Sequence, residues 1–93
     1  MYIGVVSNSD QSKNIDFQLF PNPCTSFFII NVNDYLPSKM LMTIYNLQGT
    51  EVLHKRLYQG SNVIDLEDVN AGVYVVEIRE QGIVVKSEKL VKM

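Results

Sequence analysis

The stretch from Gly72 to Val85 constrains the fold most strongly, because its pattern predicts a β-hairpin. Residues 73–79 are dense in β-branched side chains and alternate, so one face of this strand is predicted to enter a core. The residues on that face are Tyr74, Val76 and Ile78. Gly82 can adopt positive φ in the connecting loop, and residues 83–85 then resume the apolar pattern. The most clearly predicted strand pair therefore lies close to the last residues of the chain.

Five further short apolar runs precede this hairpin, with glycine or proline at nearly every boundary. The predicted strands are residues 15–19, 27–32, 40–45, 50–58 and 62–66. Their spacing of about 8 to 12 residues, without any segment of helical period, predicts an all-β sandwich of two sheets with seven strands. A small barrel is the lesser alternative. Outside the hairpin, the predicted core residues are Phe17, Leu19, Ile30, Ile44 and Leu66.

Two of the turns carry specific backbone predictions. Pro21 and Pro23 remove two backbone donors after the first strand and favour extended conformation at the residues before them. This predicts a stiff corner. Gly49 is the expected positive-φ position in the tight turn between the third and fourth strands.

Length and charge exclude several classes of protein. A chain of 93 residues builds one core, with an expected stability of about 4 to 10 kcal/mol. The net charge of -2 offers no field for nucleic acid or an acidic membrane. No apolar run reaches about 18 residues and Met1–Val6 is too short for a signal peptide, so no integral membrane segment is expected. The polar octet Ser7–Asn14 predicts that residues 1–14 are a linker or the tail of a preceding domain, and that residues 15–93 form the folded domain.

No catalytic, metal or cofactor site is predicted, because the chain has one histidine and one cysteine. His54 is interpreted as a surface residue and Cys24 as a small packing residue. The acidic residues Asp65, Glu67 and Asp68 could form a calcium loop, but their spacing does not match one. A solvated turn is preferred, with Asp68 or Asn70 bonding local backbone amides.

Two other groups of side chains have plain structural interpretations. The five tyrosines could include a sugar-stacking platform, but Tyr45 and Tyr74 lie mid-strand, where core or rim packing is favoured. Lys86, Lys89 and Lys92 are spaced by three residues, which does not place them on one face of a strand. They are interpreted as a solvated, positively charged edge.

The order of several motifs resembles the C-terminal sorting domains of the type IX (Por) secretion system of Bacteroidetes, over Phe17 to Lys92. The motifs are Phe20-Pro21-Asn22-Pro23, Ile44-Tyr45-Asn46-Leu47-Gln48-Gly49, Gly60-Ser61-Asn62-Val63-Ile64-Asp65-Leu66, Gly72-Val73-Tyr74 and Lys89-Leu90-Val91-Lys92. Cys24 stands where a small residue such as alanine is usual, and Met93 follows the last lysine.

The resemblance implies an immunoglobulin-like sandwich that is an address label and not an enzyme. Its partners would be the type IX translocon, a sortase-like cell-surface protease and an N-terminal passenger domain in a longer precursor. Export through the periplasm and outer membrane would leave the passenger secreted or on the cell surface, with cleavage between residues 7 and 16. Recognition would involve Lys89, Leu90, Val91 and Lys92.

Two other functions remain open, and the terminal residues carry a structural expectation. A carbohydrate-binding or adhesive immunoglobulin-like module would need an exposed aromatic patch or a calcium site, whereas a structural spacer would need no terminal lysine motif. Because the last residues are expected on or beyond an edge strand, removing Lys89–Met93 is predicted to leave much of the fold intact.

Overall fold

The computed structural model describes residues 17–33 and 39–93, which form seven strands in two antiparallel sheets packed as a sandwich. The strands are β1 (Phe17–Phe20), β2 (Phe27–Val32), β3 (Met40–Tyr45), β4 (Glu51–Leu57), β5 (Gly60–Asp65), β6 (Gly72–Glu80) and β7 (Ile83–Lys92). One sheet has the order β1–β2–β5 and the other has the order β4–β3–β6–β7. The all-β sandwich prediction is confirmed, while the predicted linker, residues 1–14, lies outside the described residues.

No helix in the described ranges is long and apolar enough to cross a membrane.

The predicted hairpin forms the centre and one edge of the four-stranded sheet. β6 pairs with β3 on one side and with β7 on the other, and its alternation buries Tyr74, Val76 and Ile78 as predicted. Gly82 has a φ of 81° in the loop, next to Gln81 at 52°. The apolar face of β6 therefore lies against the opposite sheet.

The core fills the space between the two sheets. Its fully buried members of largest volume are Phe28, Ile30, Met40, Met42, Ile44, Leu57, Ile64, Leu66, Ile78, Leu90, Val32 and Val76. Phe17 and Leu19 were predicted inside, but they are half-buried and pack against the core from its border. The reason is that β1 is an edge strand of only four residues, so its inner face is not fully covered.

Asparagine side chains fix two of the connections. Asn46 accepts hydrogen bonds from the backbone amides of Gln48 and Thr50 through Oδ1, at 3.0 and 2.9 Å, and Gly49 has a φ of 85°. Asn62 is buried, and its amide donates to the carbonyls of Ile30, Tyr58 and Gly60 while its oxygen accepts from the Tyr58 amide. The asparagines in two of the motifs therefore replace missing backbone partners.

β7 is longer than the pattern of residues 83–85 indicated, since it continues to Lys92 and pairs with β6 along its whole length. The register shifts by one residue near Ile78, where Lys86 is opposite Ile78 but Val84 is opposite Arg79. This bulge at Val85 turns the side chains of Lys86 and Glu88 toward the inner face of the sheet. Both are half-buried there, and Lys86 Nζ lies 3.6 Å from Oε1 of Glu88. A bulge and inward charges both discourage pairing with another strand at an exposed edge.

Candidate functional site at the C-terminal strand

The terminal motif is Lys89-Leu90-Val91-Lys92, and its four residues alternate between the two faces of β7. Leu90 is fully buried opposite Tyr74, and Lys92 lies on the same face, where its Nζ donates to the Val69 carbonyl at 2.6 Å. Lys89 is exposed and Val91 is half-buried on the outer face. The interpretation of the lysines as a solvated edge is therefore wrong for Lys92, and the motif contributes directly to the core.

The Pro-Asn-Pro corner lies along the open edge of this strand. Nδ2 of Asn22 donates to the Lys89 carbonyl at 2.7 Å, and Oδ1 of Asn22 accepts from the Val91 amide at 3.0 Å. One side chain therefore makes the two bonds that a neighbouring strand would supply through its backbone. The Phe20–Pro21 and Asn22–Pro23 peptide bonds are both cis.

Cys24 continues this contact with backbone bonds on the same strand. Its amide donates to the Val91 carbonyl at 2.9 Å, and its carbonyl accepts from the Met93 amide at 2.8 Å. The Cys24 thiol is buried in the core and contacts the Val91 carbonyl at 3.5 Å. Burial raises the pKa of this thiol above its ordinary value of 9.0, because the thiolate would lose its hydration.

The Gly-Val-Tyr motif borders the other side of the terminal motif. Gly72 in β6 is opposite Lys92 in β7, and the Tyr74 hydroxyl donates to the Asn70 carbonyl at 2.5 Å. A tyrosine bonded in this way to the backbone a few residues upstream is typical of immunoglobulin-like sandwiches, with which the strand arrangement is compatible. Residues from three separate motifs thus meet around Leu90 and Lys92.

Gly49 does not join this group, but its turn follows Tyr45, which is opposite Val75 at the same end of the sheet. We call this end of the four-stranded sheet the terminal pole. It comprises Tyr45 of β3, residues 72–75 of β6 and residues 89–92 of β7.

The residues considered for metal or catalytic chemistry are dispersed. His54 is exposed, and its Nδ1 lies 2.6 Å from Oε2 of Glu51. Asp65 accepts the Glu67 amide through Oδ1 at 2.9 Å, so Asp65 makes the turn bond that had been expected of Asp68 or Asn70. Within residues 17–33 and 39–93, no group of three histidine, cysteine or acidic side chains could hold a metal ion.

A family model described as a secretion system C-terminal sorting domain matches residues 18–93. The chain belongs to this family. The sorting domain is accordingly a signal of the type IX system for export across the outer membrane, and its family is non-enzymatic. A search of curated proteins finds no significant match.

The sorting domain also has an outer surface that the motifs did not predict. Register places Tyr45, Val75 and Lys89 in one row across β3, β6 and β7, and Val73 and Val91 form the next row. We call these five residues the terminal face. The alternation of β6 predicts that Val73 and Val75 point outward. It does not predict their neighbours Val91 and Lys89, which depend on the register between β6 and β7.

Proposed function

We propose that the type IX translocon recognises this sorting domain in its folded form, at the terminal pole. The observation that carries the proposal is the pair of hydrogen bonds between the Asn22 side chain and the backbone of Lys89 and Val91, residues that lie 67 and 69 positions later in the chain. Both motifs are close together only in the folded domain, so a folded surface can present them as one signal.

A freely accessible tail agrees poorly with the positions of the terminal side chains. Leu90 is fully buried, so a partner cannot contact it without opening the sandwich, and the half-buried Lys92 ammonium is already bonded to the Val69 carbonyl. Lys89 and Val91 lie on the outer face instead. In this proposal, Leu90 and Lys92 hold the strand in place, and the outer face is read by the translocon.

The passenger precedes the domain in a longer precursor and joins it through the segment before β1. The first described residue, Phe17, is opposite Val32, at the end of the three-stranded sheet away from the corner. A passenger attached there leaves the terminal pole open. After export, a sortase-like cell-surface protease cleaves the segment between residues 7 and 16, and the passenger is released or joined to lipopolysaccharide.

The test is a fusion of residues 7–93 to a reporter with its own signal peptide, expressed in a Bacteroidetes host. The reporter should reach the surface or the medium in the host with the secretion system and collect in the periplasm of a matched strain without the translocon. A fusion that stays in the periplasm of both strains contradicts the proposal. Equal surface delivery by both strains also contradicts it and would favour an independent surface module.

A further inference from the structure

We infer that the partner of the terminal face is an apolar segment carrying a carboxylate, and that Lys89 is the cation it recognises. The inference rests on the proposed function, because it names the chemistry of the partner and the contact residue at the same pole. It also gives the two lysines of the terminal motif different roles.

The side chains next to Lys89 are apolar toward the end of the chain, whereas Glu77 and Ser87 form the adjacent row on the other side, with the Glu77 carboxylate bonded to Arg79. Val75 is its direct cross-strand neighbour, and the Val73–Val91 pair lies in the adjacent row of the same face. Val73 is exposed, while the other apolar members of the terminal face are half-buried. A partner that covers this face would therefore remove apolar surface and the Lys89 ammonium from water together.

The Lys89 ammonium is available for a partner. Within the described residues, no hydrogen bond or ion pair holds it, whereas Arg79 bonds Glu77 at 2.8 Å and Lys86 lies 3.6 Å from Glu88. Burying an unpaired ammonium in an apolar interface is costly, so a fitting partner must supply an opposite charge. A carboxylate within an apolar segment meets both requirements.

The Lys92 ammonium is already used within the domain. Its Nζ donates to the Val69 carbonyl at 2.6 Å from a half-buried position. Lys92 therefore acts as a positioning residue, which ties the end of β7 to the loop before β6. Asn22 complements it from the other edge, since its bonds to Lys89 and Val91 fix the backbone that carries the recognised side chain.

The experiment compares charge-reversed variants of two exposed lysines in the reporter fusion. Lys89→Glu should reduce export about tenfold or more, because it opposes a carboxylate with a second one. Lys39→Glu makes the same change of charge at the exposed residue just before β3, away from the terminal pole, and it should be exported like the unsubstituted domain. Lys89→Arg should retain most of the export, because it keeps the positive charge. Thermal unfolding of each purified domain should show unchanged stability.

Different outcomes separate this inference from the proposed function. If the unsubstituted fusion is exported and Lys89→Glu is exported equally well, the assignment of Lys89 is wrong while the sorting role stands. The assignment is also wrong if Lys39→Glu loses export to the same extent, since that would indicate an effect of net charge. An unsubstituted fusion that is not exported overturns both. Lys92→Met loses the bond to the Val69 carbonyl and should lower the melting temperature of the purified domain, whereas Lys89→Glu should leave it unchanged.

Discussion

At the scale of single residues, the Asn22 side chain makes two hydrogen bonds to β7 that a neighbouring strand would otherwise make through its backbone. It pairs with a carbonyl and an amide of β7, two residues apart, and so covers part of an otherwise open edge. The Pro-Asn-Pro pattern could predict a corner because proline restricts the local backbone. It could not predict the partner, since nothing local in the sequence specifies a contact 67 residues away.

Replacing Asn22 with alanine should therefore loosen the end of β7 without unfolding the core. Two hydrogen bonds are lost at an exposed position where water can replace them, so we expect a loss of about 1 to 2 kcal/mol in the free energy of unfolding. Hydrogen exchange at the Val91 amide should accelerate. Asn31→Ala is the matched control, because this asparagine lies in β2 and its side-chain amide bonds Asn33 and not β7. Unchanged exchange at Val91 would show that Asn22 does not hold the strand.

The buried Cys24 thiol predicts a pH dependence of stability. Its pKa is raised in the folded domain by desolvation, so on raising the pH the unfolded chain loses the thiol proton first. The thiol therefore contributes its full stabilisation below its ordinary pKa of 9.0, and that contribution is lost as the pH rises through the folded-state value.

Denaturant unfolding at pH 7 and at pH 10 provides the measurement. The unsubstituted domain should lose more stability between these two pH values than Cys24→Ala, which differs from it only in the absence of the thiol. Equal losses in both proteins would show that Cys24 does not cause the decline.

At the scale of elements, the alternation of β6 was sufficient to predict which side chains enter the core. In β7 the alternation predicts the inward residues only as far as Val85, because the bulge there inserts one residue and reverses which positions face inward. Beyond the bulge, the charged residues Lys86 and Glu88 occupy inward positions, so no apolar alternation in the sequence marks Leu90 as a core residue. Register and bulges are set by cross-strand packing, and a single-strand pattern does not contain that information.

Because Leu90 lies in the core, the terminal segment should be required for folding. Leu90→Ala should cost about 2 to 5 kcal/mol, a large share of the stability of a domain of this size. Removing Lys89–Met93 also removes the bonds to Asn22, Cys24 and Val69, and should abolish cooperative thermal unfolding. The burial of Leu90 therefore predicts the opposite of the expectation from sequence, which was that much of the fold survives this truncation.

Ile83→Ala is the control on the same strand, because Ile83 is exposed in the hairpin and should change stability by less than about 0.5 kcal/mol. A truncated domain that melts at the temperature of the full domain would show that β7 is dispensable beyond Glu88.

At the scale of the whole molecule, the sandwich brings three of its motifs together at one pole, whereas the first described residue, Phe17, lies at the end of the three-stranded sheet away from the corner. The fold class and the individual motifs were predictable, because strand periodicity and turn residues are local properties. Their assembly around Leu90 was not, since it depends on the pairing of strands that are distant in the sequence. A folded signal of this kind predicts that damage far from the terminal pole should matter whenever it unfolds the domain.

Ile30 allows that prediction to be tested, because it is fully buried in β2 of the opposite sheet and contributes nothing to the terminal face. Ile30→Ala should cost about 2 to 5 kcal/mol and Ile30→Val about 0.5 to 1.5 kcal/mol. Export of the reporter fusion should follow the folded fraction, so the alanine variant should be exported poorly at a temperature where it is largely unfolded and recover on cooling. The valine variant should be exported normally throughout. Circular dichroism of the purified domains gives the folded fraction at each temperature. Undiminished export of an unfolded Ile30→Ala domain would mean that the translocon reads the terminal residues as a linear segment, because these residues are unchanged in that variant and only the fold that presents them has been lost.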